Sequence, residues 1–301
     1  MFGGAARWAA VALVSLLVAG CRVDGGGTAG DTQAAQGCVR EQRCVRVDFP
    51  FRHFVPQGLA LAPGNAAYLS GYQWKPQRGR RHCQVVKVDR RSGAVLAASL
   101  LPECRHGGGA VLTRHGLWVT GPSRLWLLDP EAIGRRDPVL REWAVDKPIT
   151  ASTLTTTGSG LLMATFAQSA EGHTYGFDFA QLMAPGATTL VDRGEGAGRV
   201  AASTVRDSPA WVQGVTHDRR GTWFASSSTY CGALTLPSGR RVALVPGAEG
   251  LGFDHKGDLW VVSESSAGPY ALAGDRPRTP TLTRIPAAEL RTGGEPDCAW
   301  D

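Results

Sequence analysis

No stretch of the 301-residue sequence is long and apolar enough to cross a bilayer as a helix, which takes about 20 consecutive apolar residues. Sustained helical periodicity is lacking too. With 39 Gly and 18 Pro spread along the chain, a helical fold is disfavoured, because both residues punctuate helices. The sequence has no GxSxG elbow, HExxH pair, Walker loop or GxGxxG in a strand–loop–helix setting, which removes the commonest hydrolase, zinc-protease and nucleotide-binding chemistries. The cysteines do not fall in the CxxC or HxxxH pairs that zinc sites use.

What is present begins with a leader. Arg7 supplies positive charge, and Trp8 to Val18 is an apolar run of 11 residues broken only by Ser15. That run is too short to span and has the size of a signal-peptide core. Val18-Ala19-Gly20-Cys21 follows. Small residues ahead of a cysteine resemble a bacterial lipobox. The resemblance implies cleavage before Cys21 and transfer of diacylglycerol, with acyl chains such as palmitate, to its thiol. Each buried CH₂ would stabilise membrane attachment by about 0.8 kcal/mol. Residues 22–37 are Gly-, Ala- and Thr-rich without bulky apolar side chains, a composition that cannot bury enough surface to fold and reads as a flexible tether. The expected organisation is a leader over 1–20, a tether over 21–37 and one domain over 38–301. Arg22 is not the Asp that resembles an inner-membrane retention signal, so in a double-membraned cell the outer membrane is the expected address; otherwise it is the cell membrane, facing outward.

Without Arg7, 31 basic residues stand against 26 acidic ones, a balance of +5. Paired arginines recur beside Gly or Ser: Arg80-Arg81, Arg90-Arg91, Arg135-Arg136, Arg219-Arg220 and Arg240-Arg241. They read as solvated turn tips. Outside the cytoplasm a nucleic-acid partner is not expected, whereas attraction to anionic lipid or cell-wall polymer is open. Six cysteines remain beside Cys21, an even number that suits disulfides in an exported chain. Cys83 and Cys104 flank a hairpin and should meet. Cys298 could tie the C-terminus to Cys38 or Cys44.

A repeat organises the rest. Five stretches share a Gly-containing start, a short strand, a tight turn and a second strand with a large residue near its start. They begin at Gln57, Gly108, Ser152, Gln213 and Glu249, and the large residue, 10 or 11 positions on, is Tyr68, Trp118, Leu162, Trp223 or Trp260. Gly or Asn in each turn supplies the positive φ of tight hairpins. Two further strand-like runs follow in each unit, including TTLVDRG in the third and PYALAG and TLTRIP in the fifth. Four antiparallel strands repeated at intervals of up to 61 residues point to an all-β fold, a β-propeller of four-stranded blades. Five units are visible, and the long third interval leaves room for a sixth. RCVRVDFPF should complete the last blade. A β-sandwich with similar turns is the alternative.

In such a disc the starts of the first strands and the ends of the second strands converge on one face. That gathers Gln57, Gly108, Ser152, Gln213 and Glu249 with Tyr72, Gln73 and Trp74, Gln168, Ser226 to Tyr230, and Ser263 to Ser266. His106, before a glycine run, belongs near the same mouth, whereas His217 and His255 read as structural or exposed. The candidate mouth residues are Gln57, Trp74, His106, Gln213, Tyr230, Glu249 and Glu264. Few converging polar groups in a concave mouth make the default binding site, and a carboxylate there needs a partner or a cation.

EGLGFDHKGDLWVVSES, from Glu249, resembles the blade motif of the gluconolactonase/regucalcin-like and strictosidine-synthase-like propellers, a likeness that covers about 100 residues in the first halves of most blades. The lactonase resemblance implies a divalent cation such as Ca²⁺ at the mouth, with Glu249, Gln213 and Gln57 at its ligand positions and Glu264 or His106 as acid or base. Three functions follow: a membrane-anchored module that binds a small molecule, glycan or protein; a metal-dependent lactonase-like hydrolase; or an envelope assembly scaffold. One expectation is direct. Cys21→Ser should abolish acyl labelling of the mature chain, read by intact mass, and release it from the membrane fraction.

Overall fold

The computed structural model describes residues 44–47, 49, 54–74, 82–101, 104–168, 172–267, 270 and 281–298. Within them, 22 strands fall into five sheets. Cys44–Val45 (β1) comes first. Blade one is Phe54–Leu61 (β2), Ala66–Gln73 (β3), Cys83–Asp89 (β4) and Val95–Leu101 (β5). Blade two contains Ala110–Thr113 (β6), Gly116–Gly121 (β7), Arg124–Leu128 (β8) and Val139–Val145 (β9). Blade three starts with Ala151–Thr156 (β10), Gly160–Thr165 (β11) and Gly172–Asp178 (β12). A short helix, Phe179–Leu182 (α1), then leads to Thr189–Val191 (β13), Arg199–Ala201 (β14) and Thr204–Ser208 (β15). Blade four is Val212–Asp218 (β16), Gly221–Ser228 (β17), Cys231–Thr235 (β18) and Arg241–Leu244 (β19). Blade five contains Ala248–Phe253 (β20), Leu259–Ser263 (β21) and Leu282–Ile285 (β22), and the helix Ala287–Thr292 (α2) follows.

The chain is a β-propeller, with five blades among the described residues. Its last sheet runs β20-β21-β22-β1, so the strand at Cys44 completes the final blade as the sequence suggests, with Cys44 opposite Thr283. Three details differ from the sequence reading. Thr189–Val191 is not the outer strand of blade three. It pairs in parallel with β9, Thr189 opposite Ala144, and β14 pairs in parallel outside it, while β15 takes the outer place in blade three. Leu190 and Val200 gain burial in one cluster with Trp143 and Phe179, which is why the insertion leaves its own blade. The long third interval therefore widens blade two, and no sixth sheet appears among the described residues. In blade five the TLTRIP segment supplies the third strand and β1 the fourth; residues 271–280, which include most of PYALAG, lie outside the described residues.

Blades two, four and five are latched by the tryptophan that their sequence repeats. In blade five the carboxylate of Asp254 accepts the backbone N–H of Lys256 at 2.9 Å and of Asp258 at 3.1 Å, while its other oxygen accepts the indole N–H of Trp260 at 3.1 Å. Asp218 does the same for Arg220 and Trp223, and the Thr113 hydroxyl for His115 and Trp118. The buried indole keeps its polar tip satisfied, and the turn gains a side-chain acceptor that mimics backbone pairing.

Around the axis the first strands touch backbone to backbone. A Cβ on Gly58 would sit 2.6 Å from the Ala110 nitrogen, one on Gly109 2.4 Å from the Leu154 nitrogen, one on Gly214 1.8 Å from the Glu249 carbonyl oxygen, and one on Gly250 2.3 Å from the Leu59 nitrogen. These contacts join blade one to two, two to three, four to five and five to one. Glycine is required there by approach, since no side chain fits between the strands.

Cys83–Cys104 is bonded as the hairpin implied. Cys298 bonds Cys231 instead of Cys38 or Cys44. The cause is the route of the tail. Ala243 donates to the Gly294 carbonyl, and the Arg240 guanidinium donates to the carbonyls of Leu290, Arg291 and Gly293, which lays residues 290–298 along blade four beside β18. Cys44 is disulfide-bonded as well. Gly214→Ala should cost more than about 3 kcal/mol in denaturant unfolding, through overpacking against fixed backbone, whereas Gly294→Ala, with open space at its Cβ, should change stability by less than about 0.5 kcal/mol.

Candidate functional site

The face that receives the second-to-third strand connections is the mouth. There four of the five first strands carry one residue too many. Register breaks between Pro56 and Gly58, Ala151 and Thr153, Val212 and Gly214, and Ala248 and Leu251. Gln57, Ser152, Gln213 and Glu249 lie in these β-bulges, inside the strands and not before them as the sequence reading placed them. A bulge leaves its extra residue out of the ladder and re-aims its side chain. Gly108 holds the equivalent place in blade two, where its N–H and that of Gly109 donate to the carbonyl and hydroxyl of Thr120.

Glu249 and Glu264 are brought together on this platform, with Gln57 beside them. Glu249 is 2% exposed and Glu264 8%. Glu264 opens a 3-10 turn, Glu264–Ser266, capped by the Ser263 hydroxyl. The Gln57 amide nitrogen donates to a Glu264 oxygen at 2.9 Å and to the Pro56 carbonyl at 3.2 Å. Both partners are acceptors, which fixes the orientation of the amide. One carboxyl oxygen of Glu249 is buried with no hydrogen-bond partner.

Burial raises both carboxyls. Desolvation, then the nearby charge of Glu264, holds Glu249 well above the usual carboxylate range. Desolvation lifts Glu264 to about 7 against the opposing hydrogen bond from Gln57. Both carboxyls are therefore harder to ionise than free ones, and the low-dielectric site disfavours ionising them together.

An aromatic wall stands one turn away. Ala267 donates to the Glu264 carbonyl and Tyr270 to the Ala267 carbonyl, which carries Tyr270 to Tyr72, their hydroxyls 3.1 Å apart. Trp74 and Tyr270 pack on a cluster of Val55, Tyr72 and Ala267, and His106 stacks on Tyr72 with ring centroids 5.1 Å apart. Tyr230 is 54% exposed on the neighbouring loop, tied to the Glu264 turn by the Ser265 hydroxyl on the Thr229 carbonyl. Gln213 is half-buried in the blade-four bulge. All seven candidate residues thus lie on the mouth side, and Gln57 and Glu264 are in direct contact.

Among solved structures the chain finds distant likenesses. An oxidoreductase described as a glucose dehydrogenase, from Thermus thermophilus, is 15% identical with a TM-score of 0.47, over 80% of this chain and 85% of that one. A Bacteroides caccae protein of unknown function is 15% identical with a TM-score of 0.42, over 78% of each chain. BamB from Moraxella catarrhalis is 13% identical with a TM-score of 0.31, over 69% of this chain and 61% of that one. No family model and no curated protein matches the chain.

Sequence reasoning missed Tyr270, which it placed in a strand, and Trp211. The latter holds φ at +60°, rare for a bulky residue. Its N–H donates to the Ala167 carbonyl at 2.7 Å, its carbonyl accepts from Ser227 at 3.2 Å, and its ring meets Phe166 edge-on. Three of the four bulges were signalled by Gln-Gly, Gln-Gly and Glu-Gly at equivalent positions, whereas the bulge at Ser152-Thr153 carries no glycine.

The cation set implied by the lactonase resemblance is not assembled by these contacts. Gln57 turns its amide nitrogen, a donor, toward Glu264, and no group of three or more His, Cys, Asp or Glu able to hold a metal ion occurs among the described residues. The raised carboxyls also set the pH dependence of stability. A carboxyl whose folded pKa exceeds its unfolded value favours the fold at low pH and loses that contribution as pH rises toward the folded pKa. Between about pH 4.5 and 7, stability of the wild type should fall relative to Glu264→Gln. Glu249→Gln, which removes the buried acid, should raise the melting temperature at pH 8; melting curves across pH test both.

Proposed function

We propose that the chain is an exported propeller, anchored by lipid on Cys21, that binds an organic ligand at its mouth. The ligand brings a cationic or hydrogen-bond-donating group to the Glu249–Glu264 pair and an apolar face to the wall of Tyr72, Trp74, Tyr270 and His106. The observation that carries this reading is the buried Glu249 oxygen without a partner. A polar atom left this way costs about 1–3 kcal/mol, a penalty that a bound donor would relieve. The leader sequence, whose apolar run of 11 residues falls short of a bilayer span, supports a lipid anchor over a spanning one.

A hydrolase is the second reading, favoured by one observation, the Glu264 carboxyl at about 7. A carboxyl poised near the working pH can donate and accept a proton in turn. It would serve as acid or base next to Glu249, whose carboxyl burial makes harder to ionise.

Melting of the wild type and of Glu249→Gln against calcium, magnesium, choline, spermidine and neutral oligosaccharides separates these readings. A ligand at a hundredfold over its Kd stabilises the fold by about 2.7 kcal/mol, several degrees for a domain of this size. The expected result is a shift with at least one organic compound in the wild type that is lost in Glu249→Gln. A shift retained in the variant, or none with any compound, would overturn the site. A shift with calcium alone would restore the metal-dependent hydrolase.

A further inference from the structure

The face opposite the mouth, called here the rear face, collects the turns that join first to second and third to fourth strands. On it lie Arg91, Arg114, Arg135, Arg219 and Lys256, all exposed. None of the five side chains has an ion-pair partner among the described residues. The carboxylates of the same turns are occupied. Asp89, Asp218 and Asp254 accept turn amides, Asp129 holds Arg136, and Glu131 faces Lys87. Four of the five arginine pairs seen in the sequence thus place at least one cation here.

Two further observations concern the same face. The register of β1 with β22 sets Cys44 opposite Thr283 and Val45 opposite Leu282, while Ile285 lies opposite Leu259. β1 therefore runs from the rear toward the mouth, with Cys44 at its rear end. A recess of about 530 Å³ also opens there. Arg220 and Arg291 stand over an apolar floor of Trp223, Leu236 and Leu290, and the Arg220 guanidinium lies 4.6 Å from the Trp223 ring centroid.

We propose that the rear face rests on anionic phospholipid headgroups, so that the mouth points away from the bilayer. This extends the lipid-anchor reading: the tether would bring the rear face to the surface, and its unpaired cations would hold it there. Each cation near an anionic membrane contributes about 1 kcal/mol, and the attraction fades within a Debye length, so only the face turned to the bilayer counts. The recess, with guanidinium groups above an indole, suits a headgroup with part of its acyl chain.

The test uses the chain from residue 21 carrying Cys21→Ser, so that no lipid contributes, sedimented with phosphatidylcholine vesicles with and without phosphatidylglycerol. Binding only to the anionic vesicles, weakened by salt, is expected. The set Arg91→Gln, Arg114→Gln, Arg135→Gln, Arg219→Gln and Lys256→Gln should lose about fivefold in partitioning per residue with an unchanged melting temperature. The mouth-side pair Arg105→Gln and Lys147→Gln, exposed on the opposite face, should bind as the parent does. Equal loss from the mouth-side pair, no preference for anionic vesicles, or retention on a soluble anionic glycan in preference to vesicles would overturn the proposal. Failure of the anchor itself would show separately, as an unacylated mature N-terminus in the wild-type chain, and would leave the vesicle result standing.

Discussion

Backbone packed against backbone around the axis is the constraint on which the rest depends. Gly58, Gly109, Gly214 and Gly250 let neighbouring first strands approach to distances that no Cβ would allow. The disc is therefore narrow at its centre, and side chains from the first strands cannot fill a wide channel. They must leave the ladder to reach the mouth. The bulges at Gln57, Ser152, Gln213 and Glu249 are that exit. Tight packing and functional display are two results of one local arrangement, in which an extra residue is followed in most blades by a glycine.

The outer parts of the blades are held by different means. Indole latches at Trp118, Trp223 and Trp260 pin the first hairpins, two described disulfides fasten blade edges, and the Arg240 guanidinium binds the C-terminal segment. Rigid hairpins keep the mouth residues in register with one another. That rigidity makes the burial of two coupled carboxyls tolerable, since a loose site would admit water and relax their pKa values.

Much of this was legible in the sequence. The five-fold recurrence of a strand start, a tight turn and a large residue 10 or 11 positions on named the blades and the mouth face, whereas the latching of Trp223 and Trp260 by Asp218 and Asp254 emerges only in the fold. The Cys83–Cys104 bond was readable because a hairpin is local. Cys231–Cys298 was not, because it depends on where residues 290–298 run, a matter of Arg240 reaching three carbonyls across 50 residues or more of sequence. Thr189–Val191 was misplaced for a related reason. A three-residue strand has no intrinsic partner, and burial of Leu190 beside Trp143 decided its blade. Glu249 and Glu264 were both visible as candidates, but their pairing was not. It arises from a bulge and a 3-10 turn, each invisible to a period-two pattern.

The pairing of β1 with β22 sets an order on the completion of the fold. Synthesis delivers the Cys44 strand first, yet that strand finds its sheet only when residues 282–285 have arrived. The early strand must wait for the far end. Any product that stops before Leu282 leaves β1 without its partner strand and Cys231 without Cys298, so a truncated chain would present an open sheet edge and a free thiol together.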